Sequence, residues 1–187
     1  MGKCILVTGG ARSGKSSFSE ELAKSYGTKV LYIATAVAFD KEMKDRIRKH
    51  QEARPKGWTT IEDYKDIAKV ILNNGDKYNC ILLDCITVML TNQLLEYFNY
   101  NMDYLKLEDY NKAEVYLINE VNQMLDAIAV SDADAILVTN ELGWGIVPEN
   151  LMSRAFRDIC GRINQILGRR VDEVYLTVCG ILRHYHN

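Results

Sequence analysis

Gly9-Gly10-Ala11-Arg12-Ser13-Gly14-Lys15-Ser16 brings glycines, a lysine and a hydroxyl together in the spacing G-x-x-x-x-G-K-[ST]. Glycines let successive backbone N–H groups turn inward, and a helix that starts directly afterwards adds the positive end of its dipole. Fixed dipoles of this kind hold a polyphosphate. The motif needs a strand before it and a helix after it. Residues 4–8 form a short apolar stretch and residues 15–26 carry helical spacing, so the context is met. A chance match in a chain of this length is on the order of one per cent. Lys15 is placed to reach the β- and γ-phosphates. The Ser16 hydroxyl suits Mg2+, a hard cation that takes oxygen ligands and bridges phosphate oxygens.

An acid at the end of another apolar strand commonly accompanies such a phosphate loop, and Cys80-Ile81-Leu82-Leu83-Asp84 fits that description. Asp84 is the expected metal-side carboxylate; the alternative is a cap for a helix beginning near Ile86. Asn140 and Glu141 follow a further apolar strand and are expected at the same edge. The loop alone leaves open which bond breaks. Attack at the γ-phosphorus makes a kinase, attack by water an ATPase, and attack at the α-phosphorus a nucleotidyl transferase.

His50 offers a further chemical group. In the helical segment 39–52, Phe39, Met43 and Ile47 share one face at four-residue spacing, and His50 is the next position on that stripe. A neutral imidazole has a lone pair that can act as base, ligand or nucleophile toward phosphorus. Spacing alone favours a hydrogen-bonded structural histidine. Arg46, Gln51, Arg54 and Lys56 surround it with donors suited to phosphate oxygens, although such a run also serves as a solvated face. His184 and His186 lie in a terminal stretch where fraying is expected, and receive no role.

The elements that must position these groups alternate. Short apolar runs at 4–8, 29–34, 80–84, 135–139 and 174–178 read as buried strands. Helical spacing marks 15–26, 41–52, 64–73, 111–128 and 148–167. Near-continuous apolar strands joined by helices imply a mostly parallel sheet covered on both faces, an α/β, three-layer P-loop NTPase-type fold. Residues 97–109, rich in Tyr, Asn and Asp, read as a turn-rich excursion.

The chain of 187 residues is expected to form one catalytic domain, 1–187, without linker or repeat. With 23 Lys+Arg against 25 Asp+Glu the net charge is -2, so no overall positive field recommends nucleic acid or an anionic membrane. Cys4, Cys80, Cys85, Cys160 and Cys179 lack paired spacing and read as reduced core residues. No apolar stretch approaches the roughly 20 residues that span a bilayer. A cytoplasmic protein without membrane insertion is expected.

Taken together, several segments resemble one family. They are the phosphate loop, Tyr32-Ile33-Ala34-Thr35-Ala36, and Arg46-Ile47-Arg48-Lys49-His50-Gln51-Glu52-Ala53-Arg54-Pro55 with Trp58 and Glu62. Leu83-Asp84-Cys85-Ile86-Thr87 and Thr139-Asn140-Glu141-Leu142-Gly143-Trp144-Gly145-Ile146-Val147-Pro148-Glu149-Asn150, leading into Arg154, Arg157 and Asn164, complete the match. The resemblance is to the bifunctional adenosylcobinamide kinase/adenosylcobinamide-phosphate guanylyltransferases of cobalamin biosynthesis, and it spans nearly the whole chain.

The resemblance implies that the chain phosphorylates adenosylcobinamide from a nucleoside triphosphate, GTP or ATP. It implies that His50 then attacks the α-phosphorus of GTP, releasing pyrophosphate, and passes GMP to adenosylcobinamide phosphate. Nucleotide contacts are implied at Gly9 to Ser16, at Ala34, Thr35 and Ala36, at Gln51, Glu52, Ala53 and Arg54, and at Glu62 and Asp84. Guanine preference and assembly as a homo-oligomer, a trimer, rest on the resemblance alone. Two other readings stay open: a small-molecule kinase in which His50 only orients phosphate, and a nucleotide-operated switch.

Overall fold

A computed structural model of the chain describes residues 2–37, 48, 51–52 and 54–186. Among the described residues seven strands form one sheet: β1 (Cys4–Gly9), β2 (Val30–Ala34), β3 (Thr59–Glu62), β4 (Cys80–Asp84), β5 (Asp134–Val138), β6 (Glu173–Val178) and β7 (Ile181–His186). Their order is β3-β2-β4-β5-β1-β6-β7, and every pairing is parallel except β6 with β7. Among the described residues, the helices that run unbroken between them are α1 (Lys15–Lys24), α2 (Ile67–Asn74), α3 (Ile86–Tyr97), α4 (Leu107–Val130) and α5 (Leu151–Arg170).

The central positions of β1, β2, β4 and β5 are apolar on both sides because both faces of the sheet are covered. Leu31, Ile33, Ile81, Leu83, Ala135 and Leu137 point into one core with α2 to α5. The alternate residues Val30, Tyr32, Cys80, Leu82, Ile136 and Val138 point into a second core with α1 and Trp58. Helix α4 shows how sequence makes the thicker layer. Tyr110, Ala113, Leu117, Val121, Met124 and Ile128 recur three or four residues apart and are all buried. Each large side chain buried this way stabilises the fold by about 1.5–3 kcal/mol.

The five expected strands and the helical spacing of the described segments appear in the structure, with shifted ends. Helix α2 starts at Ile67 and not at 64 because the Asp63 carboxylate accepts from the Tyr64 and Lys65 N–H groups, making a turn first. Helix α4 starts at Leu107, four residues early, because Asp109 accepts from the Lys106 N–H and closes the first turn. Two strands escape the sequence reading. Strand β3 is a short, largely exposed edge, Thr-Thr-Ile-Glu. Strand β7 replaces the frayed tail expected at the C-terminal end: it pairs along β6, and the His184 ring stacks on Tyr175 with centroids 4.4 Å apart. Cys179 is also corrected. It is exposed in the β6–β7 turn at positive φ, while the other cysteines are buried.

Candidate active site

The phosphate loop leaves β1 at Gly9 and enters α1 at Lys15. Glycine is required at its two ends. A Cβ on Gly9, at φ +149, would stand 2.3 Å from Thr177 O, and Gly14 turns into the helix at φ +102. The loop is braced from β6 and its turn: Ser13 Oγ lies 2.7 Å from Thr177 Oγ1, and Gly180 N donates to Ser13 O at 2.9 Å. Helix α1 has no side-chain cap and no acid in its first turn, so its free N–H groups are left for an anion.

Lys15 folds back over this loop and donates from Nζ to Gly10 O at 2.7 Å. It is only 7% exposed. Burial lowers its pKa, with Asp84 and Glu141 among the groups pulling the other way. A buried cation held by one neutral carbonyl is short of counter-charge, which a phosphate supplies.

Beside the loop lies a cavity of about 480 Å3, within the usual range for a small-molecule site. Its floor is Ala11, Arg12, Ser13, Gly14, Lys15 and Ser16; its walls include Ala34, Ala36, Arg54, Glu62 and Asp84. Parallel strands bring these groups together, because their C-terminal ends open on one edge and β1 and β4 flank β5 there. Asp84 is not spent on capping: the N-cap of α3 is Cys85, with no side-chain bond. Glu62 is likewise not the cap of α2, a position held by Asp66, and its carboxylate accepts from Gln51 Nε2.

Other expected site residues are placed differently. Thr35 is fully buried and faces the protein, with Oγ1 donating to Cys85 O at 2.8 Å and accepting from Cys85 N at 2.9 Å. It ties β2 to the end of β4. Glu52 is exposed and paired with Arg48. His50 and Ala53 lie outside the described residues. Gly9 and Gly10 do not line the cavity; Gly10 O accepts from Lys15 Nζ.

The cavity also has walls that site reasoning passed over. Tyr32, Cys85, Val88 and Val138 line it; Asn140, just past β5 and expected at this edge, lines it as well. The signal for Tyr32 was its two-residue offset from Ala34, which puts both on one face of β2. Asn140 is held rigidly: its N–H donates to Thr87 Oγ1 at 2.9 Å and its carbonyl accepts from Asn164 Nδ2 at 3.0 Å. Glu141 accepts from Thr8 Oγ1 at 2.9 Å and from Asn164 Nδ2 at 3.2 Å. Trp144 stands at the loop's edge, 3.6 Å from where a Cβ on Gly10 would be, and remains largely exposed.

Ser16 and Asp84 both line this cavity and carry oxygen donors, a set that fits Mg2+, which takes few protein ligands and fills its shell with phosphate and water. The fold and this edge define a P-loop nucleotide-binding α/β protein. Its nearest chemistry is phosphoryl or nucleotidyl transfer. The chain belongs to the family described as cobinamide kinase / cobinamide phosphate guanyltransferase, whose profile matches residues 5–184. It is similar to the bifunctional adenosylcobalamin biosynthesis protein CobU of Escherichia coli (strain K12), 43% identical over 178 residues, covering 95% of this chain and 96% of that one. The protein of the same name from Salmonella typhimurium (strain LT2) is 44% identical over 177 residues, covering 95% and 96%. Among solved structures, the RadB recombinase shares the fold with a TM-score of 0.51 at 14% identity, covering 98% of this chain and 86% of that one.

Proposed function

We propose that the chain phosphorylates the aminopropanol hydroxyl of adenosylcobinamide from GTP or ATP and then transfers GMP from GTP to the resulting phosphate. The observation that carries this reading is the convergence of Lys15, Arg54, Glu62 and Asp84 on one cavity beside a preformed phosphate loop, in a chain of this family. A cavity of about 480 Å3 takes a nucleotide, while a corrin macrocycle with its adenosyl group is larger. The corrinoid therefore stays at the mouth and only its aminopropanol arm enters.

The backbone N–H groups of residues 11–16 and the first turn of α1 grip the outer phosphates. Lys15 exchanges its Gly10 carbonyl for a phosphate oxygen. Ser16 and Asp84 are the residues that would hold Mg2+, which when bound neutralises charge on the phosphate oxygens. In the nucleotidyl step a ring nitrogen of His50 forms a bond to the α-phosphorus of GTP as the bond to pyrophosphate breaks. An oxygen of adenosylcobinamide phosphate then displaces the histidine, giving adenosylcobinamide-GDP. Splitting the transfer lets pyrophosphate leave before the bulky acceptor reacts. The cytoplasm, where both nucleotides are made, is the matching compartment; among the described residues no helix is long and apolar enough to cross a membrane. The trimeric assembly implied by the resemblance belongs to the same reading, and the exposed apolar Trp144, Ile146 and Val147 are surface available to it.

Incubation with Mg2+ and α-labelled GTP is expected to leave acid-labile, base-stable label on the protein, absent from His50→Ala. Full labelling of that variant would remove His50 from the mechanism. An unlabelled wild type that still phosphorylates adenosylcobinamide would leave a kinase alone.

A further inference from the structure

Tyr32 is only 2% exposed, yet both ends of its side chain reach charged groups on the cavity wall. The guanidinium carbon of Arg54 stands 3.9 Å from the centre of its ring. The hydroxyl donates to Asp84 Oδ2 at 3.2 Å. Trp58 stacks on the ring, centroids 6.3 Å apart and planes 25° apart, and is itself fixed by Nε1 donating to Gly27 O at 3.2 Å. The platform is thus rigid. Arg54 Nε is buried and has no hydrogen-bond partner among the described residues. A buried donor left unpaired is costly, so the position makes sense for a group that meets a ligand.

We propose that Tyr32 is a positioning residue: its ring holds the Arg54 guanidinium and its hydroxyl holds the Asp84 carboxylate, so that a cation and an anion face the bound triphosphate in fixed relation. The inference rests on the nucleotide reading above. A side chain with only a ring or only a hydroxyl would fix one charge and release the other.

The test is titration of the full chain with N-methylanthraniloyl-GTP, with and without Mg2+, using thermal unfolding to check that each variant folds. Tyr32→Met is expected to weaken binding about tenfold by freeing Arg54. Measured without Mg2+, that loss is expected to vanish when Arg54→Met is already present, since ring and guanidinium act as one unit. Tyr32→Phe keeps the ring; it is expected to bind within about twofold of wild type without Mg2+ but to need several times more Mg2+ for half-maximal enhancement of binding. Equal losses in the Phe and Met variants, or additive losses with Arg54→Met, would overturn the proposal. Should Tyr32→Met fail to fold, the Mg2+ shift of Tyr32→Phe decides alone. Unaltered binding by Lys15→Met would instead overturn the nucleotide reading; loss there with unaltered Tyr32 variants overturns only the role of Tyr32.

Discussion

Lys15 shows how a single buried charge prepares a site. Its pKa is lowered from 10.5 by burial, so the folded chain binds this proton less tightly than the unfolded chain does. The sign follows: this lysine costs stability below its folded pKa, the cost shrinks as pH rises through that value, and it is gone above 10.5. Lys15→Met is therefore expected to melt at or above the wild-type midpoint at pH 7, with the difference closing toward alkaline pH. The same variant is expected to lose the rise in midpoint that GTP and Mg2+ give the wild type. Differential scanning calorimetry with and without nucleotide measures both. A lower midpoint for the free variant would mean that the bond to Gly10 outweighs the burial of charge. The place of this residue was legible in the sequence, because local spacing alone puts the lysine of G-K-[ST] where the loop enters the helix. Tyr32 was legible only as a strand residue, since its contacts to Arg54 and Asp84 come from separate segments.

At the level of elements, the strands that sequence revealed and those it hid divide along burial. Strands β1, β2, β4, β5 and β6 are covered by helices or neighbouring strands and so announce themselves as apolar runs. Strands β3 and β7 are edges, where one side meets solvent and polar residues are tolerated, and their patterns read as loop or tail. Helix ends depended on single side chains. Helix α5 begins where the Asn150 side chain accepts from Ser153 N at 2.7 Å. Asn150→Ala is expected to cost about 1 kcal/mol of unfolding free energy by urea titration. An unchanged midpoint would show that Arg154, whose guanidinium donates to the carbonyls of Pro148 and Glu149, anchors this turn without the cap.

Across the molecule, the phosphate loop is finished by residues far from it in sequence. Thr177 Oγ1 bonds Ser13 Oγ at 2.7 Å and donates to Thr8 O at 3.1 Å, although it is fully buried in β6. Thr177→Val keeps the shape and strands two polar partners. It is expected to lower stability by about 1–3 kcal/mol and to weaken nucleotide binding as well, measured by denaturation and fluorescent GTP titration. Unchanged nucleotide affinity would show that the loop holds its form unaided. The strand that launches the loop sits between β5 and β6, with Cys4 opposite Ala135 and Gly9 opposite Thr177. The glycine-rich motif therefore acquires its braced shape only once β5 and β6, far along the chain from it, have closed on either side of β1.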